Sequence, residues 1–466
     1  MPRRIWLAGL LLLTPFAAQA QEGSCYADAL VSSQTVQRIG DAIYISGRTK
    51  FRCEDGVVVM ADSAVRAFGR RTLLGNVSFS DPEKDIQTQV LQFEERTGQV
   101  VTFGNTIVTD RKAGSVLKAS NGLTYWRETK ENPVPRIEVL TGRPQLILIE
   151  EPKPDQTSDT TKIDSDRMEI VGQKLFRGWG RVVIKRGELD ASGGQAIFDD
   201  SLGIMDLWET AHIKGEKYDV KGDSVHAEVE GDVFKALHVF RNAKIVSEDL
   251  QVEGTRLRIA FDSGAVQRLI ARGEAQKPGG QLLGPPQAIA TTPDFVLKAD
   301  SIDALAPGQE LEKVFAVGNA WGSREPDSLD LKLPELIQRD WLRGDTVIAY
   351  FVEMPDSMKA KRAPTDSTST RVMDRLLASG TREKPATALY RMRPENDTTK
   401  EAEIGYVAAR QITARFRAGE VFDLTATDKV RGVYLQPNQR VLPATVDDSN
   451  TKSSKTPVVK KGPGGK

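Results

Sequence analysis

The sequence predicts an all-β chain built as a long stack of short antiparallel strands, and three observations predict it. Apolar and polar residues alternate with period two in runs of roughly 8 to 12 residues, cut by Gly, Asn, Asp or Pro. The alternation recurs at a longer interval: Gly180, Ala211, Asn242 and Gly273 stand 31 residues apart. Aromatic residues are sparse, at 6%, and glycine is frequent, at 39 of 466 residues, which suits many turns better than a compact helical enzyme.

The first twenty residues read as a cleavable signal peptide. Arg3 and Arg4 supply the charged region, Ile5 to Leu13 the apolar run, and Ala18-Gln19-Ala20 a small-x-small cleavage site. The apolar run is short for a membrane span. Glu22 stands where a lipoprotein motif around Cys25 needs an aliphatic residue. The expected location is the periplasm. Cys25 and Cys53 are the two cysteines, both in the mature chain. In an oxidising compartment they can pair and pin the N-terminus to the first strands; two separate thiols are the alternative.

Two kinds of strand then follow one another. One carries a small or polar residue at its centre, as in Leu73-Leu74-Gly75-Asn76-Val77 and Phe315-Ala316-Val317-Gly318-Asn319. The other reads apolar-polar-apolar-polar-Gly, as in Tyr218-Asp219-Val220-Lys221-Gly222 and Leu250-Gln251-Val252-Glu253-Gly254, and resumes alternation one residue out of step. A glycine inside a strand followed by a parity change marks a bulge or corner. About nine two-strand repeats are expected, each burying its apolar face only against its neighbours. They divide into an N-terminal set (21–150), a central set (161–276) and a C-terminal set (295–437). The last carries a long insertion near 353–403, with a short helical piece at Met373 to Ser379. A second short helical piece is expected near Leu333 to Arg339. Residues 438–466 read as a disordered tail.

Parity nominates the interior. Leu73, Val77, Phe79, Leu91 and Phe93 share the apolar face of the first strands, Val101, Phe103 and Ile107 that of the next, and Leu257, Ile259 and Phe261 that of a central strand. This face is either a closed core between two sheets or a groove. In a groove, each buried CH₂ of an acyl chain contributes about 0.8 kcal/mol.

Chemistry-bearing motifs are absent from the sequence. His212, His226 and His238 show no ligand spacing, so no metal is expected. No nucleophile elbow or phosphate loop occurs, so neither a catalytic residue nor a cofactor is assigned. Sixty-four basic and 64 acidic residues balance, which offers no electrostatic case for nucleic acid.

Two segments carry a family resemblance. Asp55-Gly56-Val57-Val58-Val59-Met60-Ala61-Asp62-Ser63-Ala64-Val65, followed by Leu73-Leu74-Gly75-Asn76-Val77, resembles the OstA-like repeat of lipopolysaccharide-transport (LptA-type) proteins. Leu297-Lys298-Ala299-Asp300-Ser301-Ile302 followed by Val317-Gly318-Asn319-Ala320 repeats the pair, and Val430 to Pro437 resembles a closing unit. The resemblance covers roughly residues 40 to 437 through degenerate, recurring motifs.

It implies an elongated open β-jellyroll, or β-taco, that shields acyl chains of lipopolysaccharide or a similar glycolipid. It also implies strand-edge pairing with an inner-membrane export complex and an outer-membrane translocon, or with further copies of itself. The strands around Ala42 to Arg48 and Lys429 to Leu435 are the expected docking edges. The competing reading is a β-solenoid that binds or degrades envelope polysaccharide, which calls for parallel rungs and clustered charge.

Overall fold

Alternating side chains fix which face of each strand is buried, and the interruptions in that alternation turn the strands from one sheet into another. The computed structural model describes residues 25–27, 35–149, 160–172, 174–187, 189–230, 233–247, 250–274, 285–292, 295–324, 334, 337–355, 371–392, 403–417 and 420–435. The expected signal peptide, the 438–466 tail and residues 333, 335 and 336 of the expected helical piece lie outside them. Among the described residues are thirty-two strands and one 3-10 turn, Pro307–Gln309. The chain is nearly all β, its strand pairings are antiparallel, and parallel solenoid rungs are absent among the described residues. No helix of the described residues is long and apolar enough to cross a membrane. The chain divides into two compact units, Met1–Leu148 and Ile149–Lys466.

In the first unit the long strands Ala42–Cys53, Val58–Ala67, Arg70–Ser80 and Lys84–Glu94 pair in sequence order, and each pairing slips register near its middle. Residues 70–74 pair with 90–94, and 77–80 with 85–88. The two halves of each strand thus belong to two walls. Beyond Glu94 the halves become separate strands. Gln99–Phe103 continues one wall into Thr124–Trp126 and Arg136–Val139, while Thr106–Asp110 continues the other into Val116–Ala119 and Gln145–Ile149.

The second unit repeats the plan through Leu175–Arg186, Leu189–Asp199, Ile204–Lys214, Tyr218–Glu230, Val233–Ser247 and Gln251–Asp262. It runs on to Glu420–Thr427 in one wall and Arg431–Leu435 in the other. Residues 161–276 and 295–437, separate sets in the sequence reading, share this one stack. Gln251–Asp262 pairs with Ala288–Thr291, and Ala265–Arg272 with Ser301–Leu305.

A recurring corner joins the walls. Two residues in left-handed backbone bulge against one on the next strand: Gly75-Asn76 opposite Gln89, Gly180-Arg181 opposite Gly194, and Gly318-Asn319 opposite Asp345. The strand before supplies an acid that accepts from the second bulge residue. Asn76 Nδ2 donates to Asp62 at 2.7 Å, Arg181 to Asp166 at 2.7 Å, Asn242 to Asp223 at 3.0 Å and Asn319 to Asp300 at 3.1 Å. The Ala-Asp and Gly-Asn halves of the sequence motif are therefore the two sides of one corner. Glycine precedes the asparagine at 75 because a Cβ there would lie 2.6 Å from Asp62 Oδ2, on backbone at φ +75°.

Three expectations need correction. Arg371–Ser379 is a strand paired with Trp341–Glu353, not a helical piece, because Val372, Leu376 and Ala378 continue that wall's alternation. With Ala386–Met392 it makes much of the supposed 353–403 insertion part of the stack. Ala42–Cys53 is not an edge. Thr35–Ile39 covers its first half and Cys25–Ala27 its second, where Cys25 and Cys53 sit directly opposite and are disulfide-bonded.

The corner's steric demand is testable. Gly69 has similar left-handed backbone, φ +74°, but open space around a hypothetical Cβ. Gly75→Val is expected to cost about 1–3 kcal/mol in urea denaturation, and Gly69→Asn far less. Equal losses would remove the clash with Asp62 as the cause.

Candidate functional site

The space between the walls is the candidate site. It is bounded by the line of corners on one side and by two rows of hairpin turns, the mouth, on the other. Leu73, Val77, Phe79, Leu91 and Phe93 are buried in it, as are Leu257, Ile259 and Phe261. Phe79 and Phe93 meet edge to face across the walls at 5.6 Å between ring centres.

Val101, Phe103 and Ile107 do not face this space. Register decides the matter: Phe93 pairs with Val100, Leu91 with Thr102, and Ile86 with Val108, so those partners point inward. Phe103 and Ile107 are left 45% and 40% exposed, and Val101 half-buried. Consecutive valines at 100 and 101 hide the parity, and the inward positions next to the corner are polar. Thr88, Thr102 and Thr106 are buried there. Thr106 Oγ1 donates to Thr102 Oγ1 at 2.9 Å and lies 3.1 Å from Thr88 Oγ1, while the Leu123 amide donates to Thr102 Oγ1. A hydroxyl chain at an inward parity reads as surface in the sequence, which is why it was missed.

The interior of the second unit is packed, whereas in the first an opening of about 160 Å³ lies among Cys25, Ile43, Ile45, Phe51, Ala64 and Arg71. In the second unit a void of about 30 Å³, room for about one water, lies between Trp341, Leu342, Leu376, Leu389, Phe416 and Leu424. Nearby, the Tyr390 ring fills the place a side chain at residue 405 would take, and burial raises the Tyr390 phenol above its ordinary value. An acyl chain enters such an interior only if the walls part.

What holds the walls together differs between the units. In the first, the inward positions at the mouth are charged. Arg71 crosses from one wall to the other: it stacks over Phe51, donates to the Cys25 carbonyl at 2.8 Å and pairs with Glu95. Asp81 is the second tie. Its Oδ1 accepts the amides of Glu83 and Lys84, fixing its own hairpin. Its Oδ2 accepts Tyr125 Oη at 2.8 Å and Arg127 Nε at 3.3 Å from the facing wall, and Arg127 also donates to Asp55 at 2.8 Å. Burial, and the Asp81 carboxylate beside it, push the Tyr125 phenol far above its ordinary range, so it remains a donor. In the second unit an aromatic group does this work: Tyr218 lies 5.6 Å from Phe261 on the other wall, and Phe261 lies 6.3 Å from Phe234. None of these mouth residues forms a sequence motif, since the ties of the first unit join positions 20 to 72 residues apart and those of the second join weakly patterned aromatics.

The histidines lie against carboxylates of neighbouring strands, pairings that sequence spacing does not reveal. His226 Nδ1 is 2.7 Å from Asp206, His212 Nε2 3.0 Å from Asp219, and His238 Nε2 3.1 Å from Glu228. Among the described residues no group of three or more His, Cys, Asp or Glu is placed to hold a metal. The chain matches no protein-family model and none of the curated proteins in sequence.

Two outcomes test the mouth. Arg127 and Asp81 are a buried pair, so Asp81→Ala is expected to cost about 3–5 kcal/mol in unfolding of the first unit, because it strands the guanidinium. Loss below about 1 kcal/mol would mean that the tie does not hold the walls.

The second outcome concerns acid. Burial raises the Asp110 carboxyl, but the amides of Ala113 and Lys112 and the Lys84 ammonium outweigh it, leaving the carboxyl below its ordinary 3.8. A folded value below the unfolded one gives stability that is complete above the unfolded pKa and disappears as pH falls through the folded one. Denaturation midpoints followed from about pH 6 to pH 2 should therefore decline less steeply for Asp110→Asn than for the parent chain. Parallel curves would refute the contribution.

Proposed function

We propose that this protein is a periplasmic bridge that shields the acyl chains of lipopolysaccharide or a similar glycolipid on the way from inner to outer membrane. One observation carries the reading: two apolar walls face each other along a stack and are continuous only at the corners, so they can hinge apart. The packed interior is then the unloaded state. The reading assigns the chain no catalytic step.

Edge pairing with the exporter, the translocon or another copy is part of the same proposal. Thr35–Ile39 and Arg431–Leu435 are exposed throughout and pair on one side among the described residues. Val36, Ile39, Val433 and Leu435 stand out on them as exposed apolar residues. Unpaired strand edges of this kind invite an added strand.

The packed interior favours a second reading, a closed envelope scaffold that holds no lipid. Photo-crosslinking in cells separates the two. Benzophenone side chains at the inward Val100 and Ile259 are expected to capture glycolipid, whereas those at the outward Val101 and Arg258 are not. Folded protein that captures no lipid at the inward positions would establish the scaffold, and equal capture on both parities would defeat the groove.

A further inference from the structure

The outer face of the second unit carries a groove of about 1020 Å³ that the interior does not account for. A row of directly opposed residues crosses six strands there: Gln195, Trp208, Ser224, Phe240, Arg256 and Arg272. Their sequence neighbours Ala196, Leu207, Val225, Val239, Leu257 and Ala271 are buried, which places the row on the outside. The first five line the groove, and Arg272 extends the row beyond it.

The corners behind this row break the rule of the fold. Elsewhere glycine takes the first left-handed position, at 75, 180 and 318. Beside the groove that position is Glu209, φ +61°, and Arg241, φ +58°, and the second position after Glu209 is a β-branched Thr210 at φ +62°. A β-branched residue in this region is an outlier, and such strain collects at functional sites. At the Arg241 corner Asp223 still anchors Asn242, but at the Glu209-Thr210 corner the anchoring acid is missing. Gly194 stands opposite, where a Cβ would meet Glu209 Oε2 at 2.2 Å, so the glycine makes room for the glutamate side chain. Gln195 Nε2 donates to Glu209 Oε1 at 2.8 Å and holds it at the rim.

Charge completes the picture. Arg241, Arg256 and Arg272 are exposed, and none of them is engaged by a carboxylate among the described residues. Some other arginines of the outer face are tied up, as Arg268 is by Asp303 and Arg181 by Asp166, while Arg258 on the same strand as Arg256 is exposed without a carboxylate partner among the described residues but does not line the groove. Free guanidiniums recognise phosphate with two parallel hydrogen bonds. The Trp208 and Phe240 rings offer flat apolar surface for the C–H face of a sugar ring. Three carboxylates, Glu209, Asp223 and Glu274, line the groove beside Arg241 and Arg256; they accept from hydroxyls and disfavour a chain of bare phosphates.

We propose that this groove binds a phosphorylated saccharide, its phosphate on Arg241 and Arg256 and a sugar ring against Trp208. Such a ligand arrives either as a free glycan or as the headgroup of a glycolipid. Because the groove lies outside the walls, its test is independent of whether the interior holds lipid.

The experiment titrates the mature chain with pentamannose 6-phosphate, following tryptophan fluorescence and calorimetry, with neutral mannopentaose and a ten-residue oligothymidylate as comparisons. The phosphorylated sugar is expected to bind saturably. Arg241→Ala/Arg256→Ala is expected to weaken it at least about tenfold with an unchanged circular dichroism spectrum. Trp208→Phe should abolish the fluorescence change. Competition by phosphorylated core oligosaccharide freed from lipopolysaccharide would support the proposal and assign a headgroup source; saturable binding without that competition would support it and assign a free glycan. No saturable binding, equal binding of mannopentaose, tighter binding of the oligonucleotide, or full binding by the folded double variant would each overturn the proposal.

Discussion

The two-against-one corner is the constraint on which this structure depends. A strand of eleven or so residues that ran straight would lie in a single sheet with one face in water. A pair of left-handed residues near its middle turns the second half into a facing wall, and the next strand must turn at the same level to keep its hydrogen bonds. The Asp62–Asn76 contact and its counterparts at Asp166, Asp223 and Asp300 tie these four corners to the strands before them. Wall, interior and mouth all follow from that repeated bend, since none can form until successive bends line up.

Much of this plan was legible in the residues. Period-two alternation gave the strands, the glycine-centred interruptions gave the bends, and the 31-residue interval matches a strand out and a strand back. Legibility failed where parity has no local mark. Val100 and Val101 are equivalent as letters, and only pairing with Leu91 and Phe93 decides between them. Arg371–Ser379 was misread because Met373, Leu376 and Leu377 also fit a helical spacing, and its partner strand lies across residues 356–370 in sequence. The mouth was invisible for a different reason. Arg71, Asp81 and Arg127 stand at inward positions where alternation leads one to expect apolar residues, and only a partner on the other wall makes a buried charge there tolerable.

The two units solve the same closing problem with different chemistry. The first joins its walls with directional ties that must be broken as pairs, whereas Tyr218, Phe234 and Phe261 in the second slide over one another without leaving an unpaired charge. If the walls part as proposed, they would do so stepwise in one unit and gradually in the other. Function that depends on an opening interior would place its slow step at Asp81 and Arg127, and its accommodation of cargo size near Phe261.

Pairing that reaches only to adjacent strands also sets how each stack comes apart. Strands such as Thr35–Ile39 and Arg431–Leu435 have one neighbour each among the described residues and bury nothing of their own, so loss of structure begins there and advances inward level by level. The disulfide changes that symmetry. By fastening Cys25 to Cys53 it bars one wall of the first unit from unzipping at its start, while the last strand of the second unit has no such fastening among the described residues. Pulled from its two termini, the molecule would yield first at the C-terminal end, like a zip with a stop sewn into one side only.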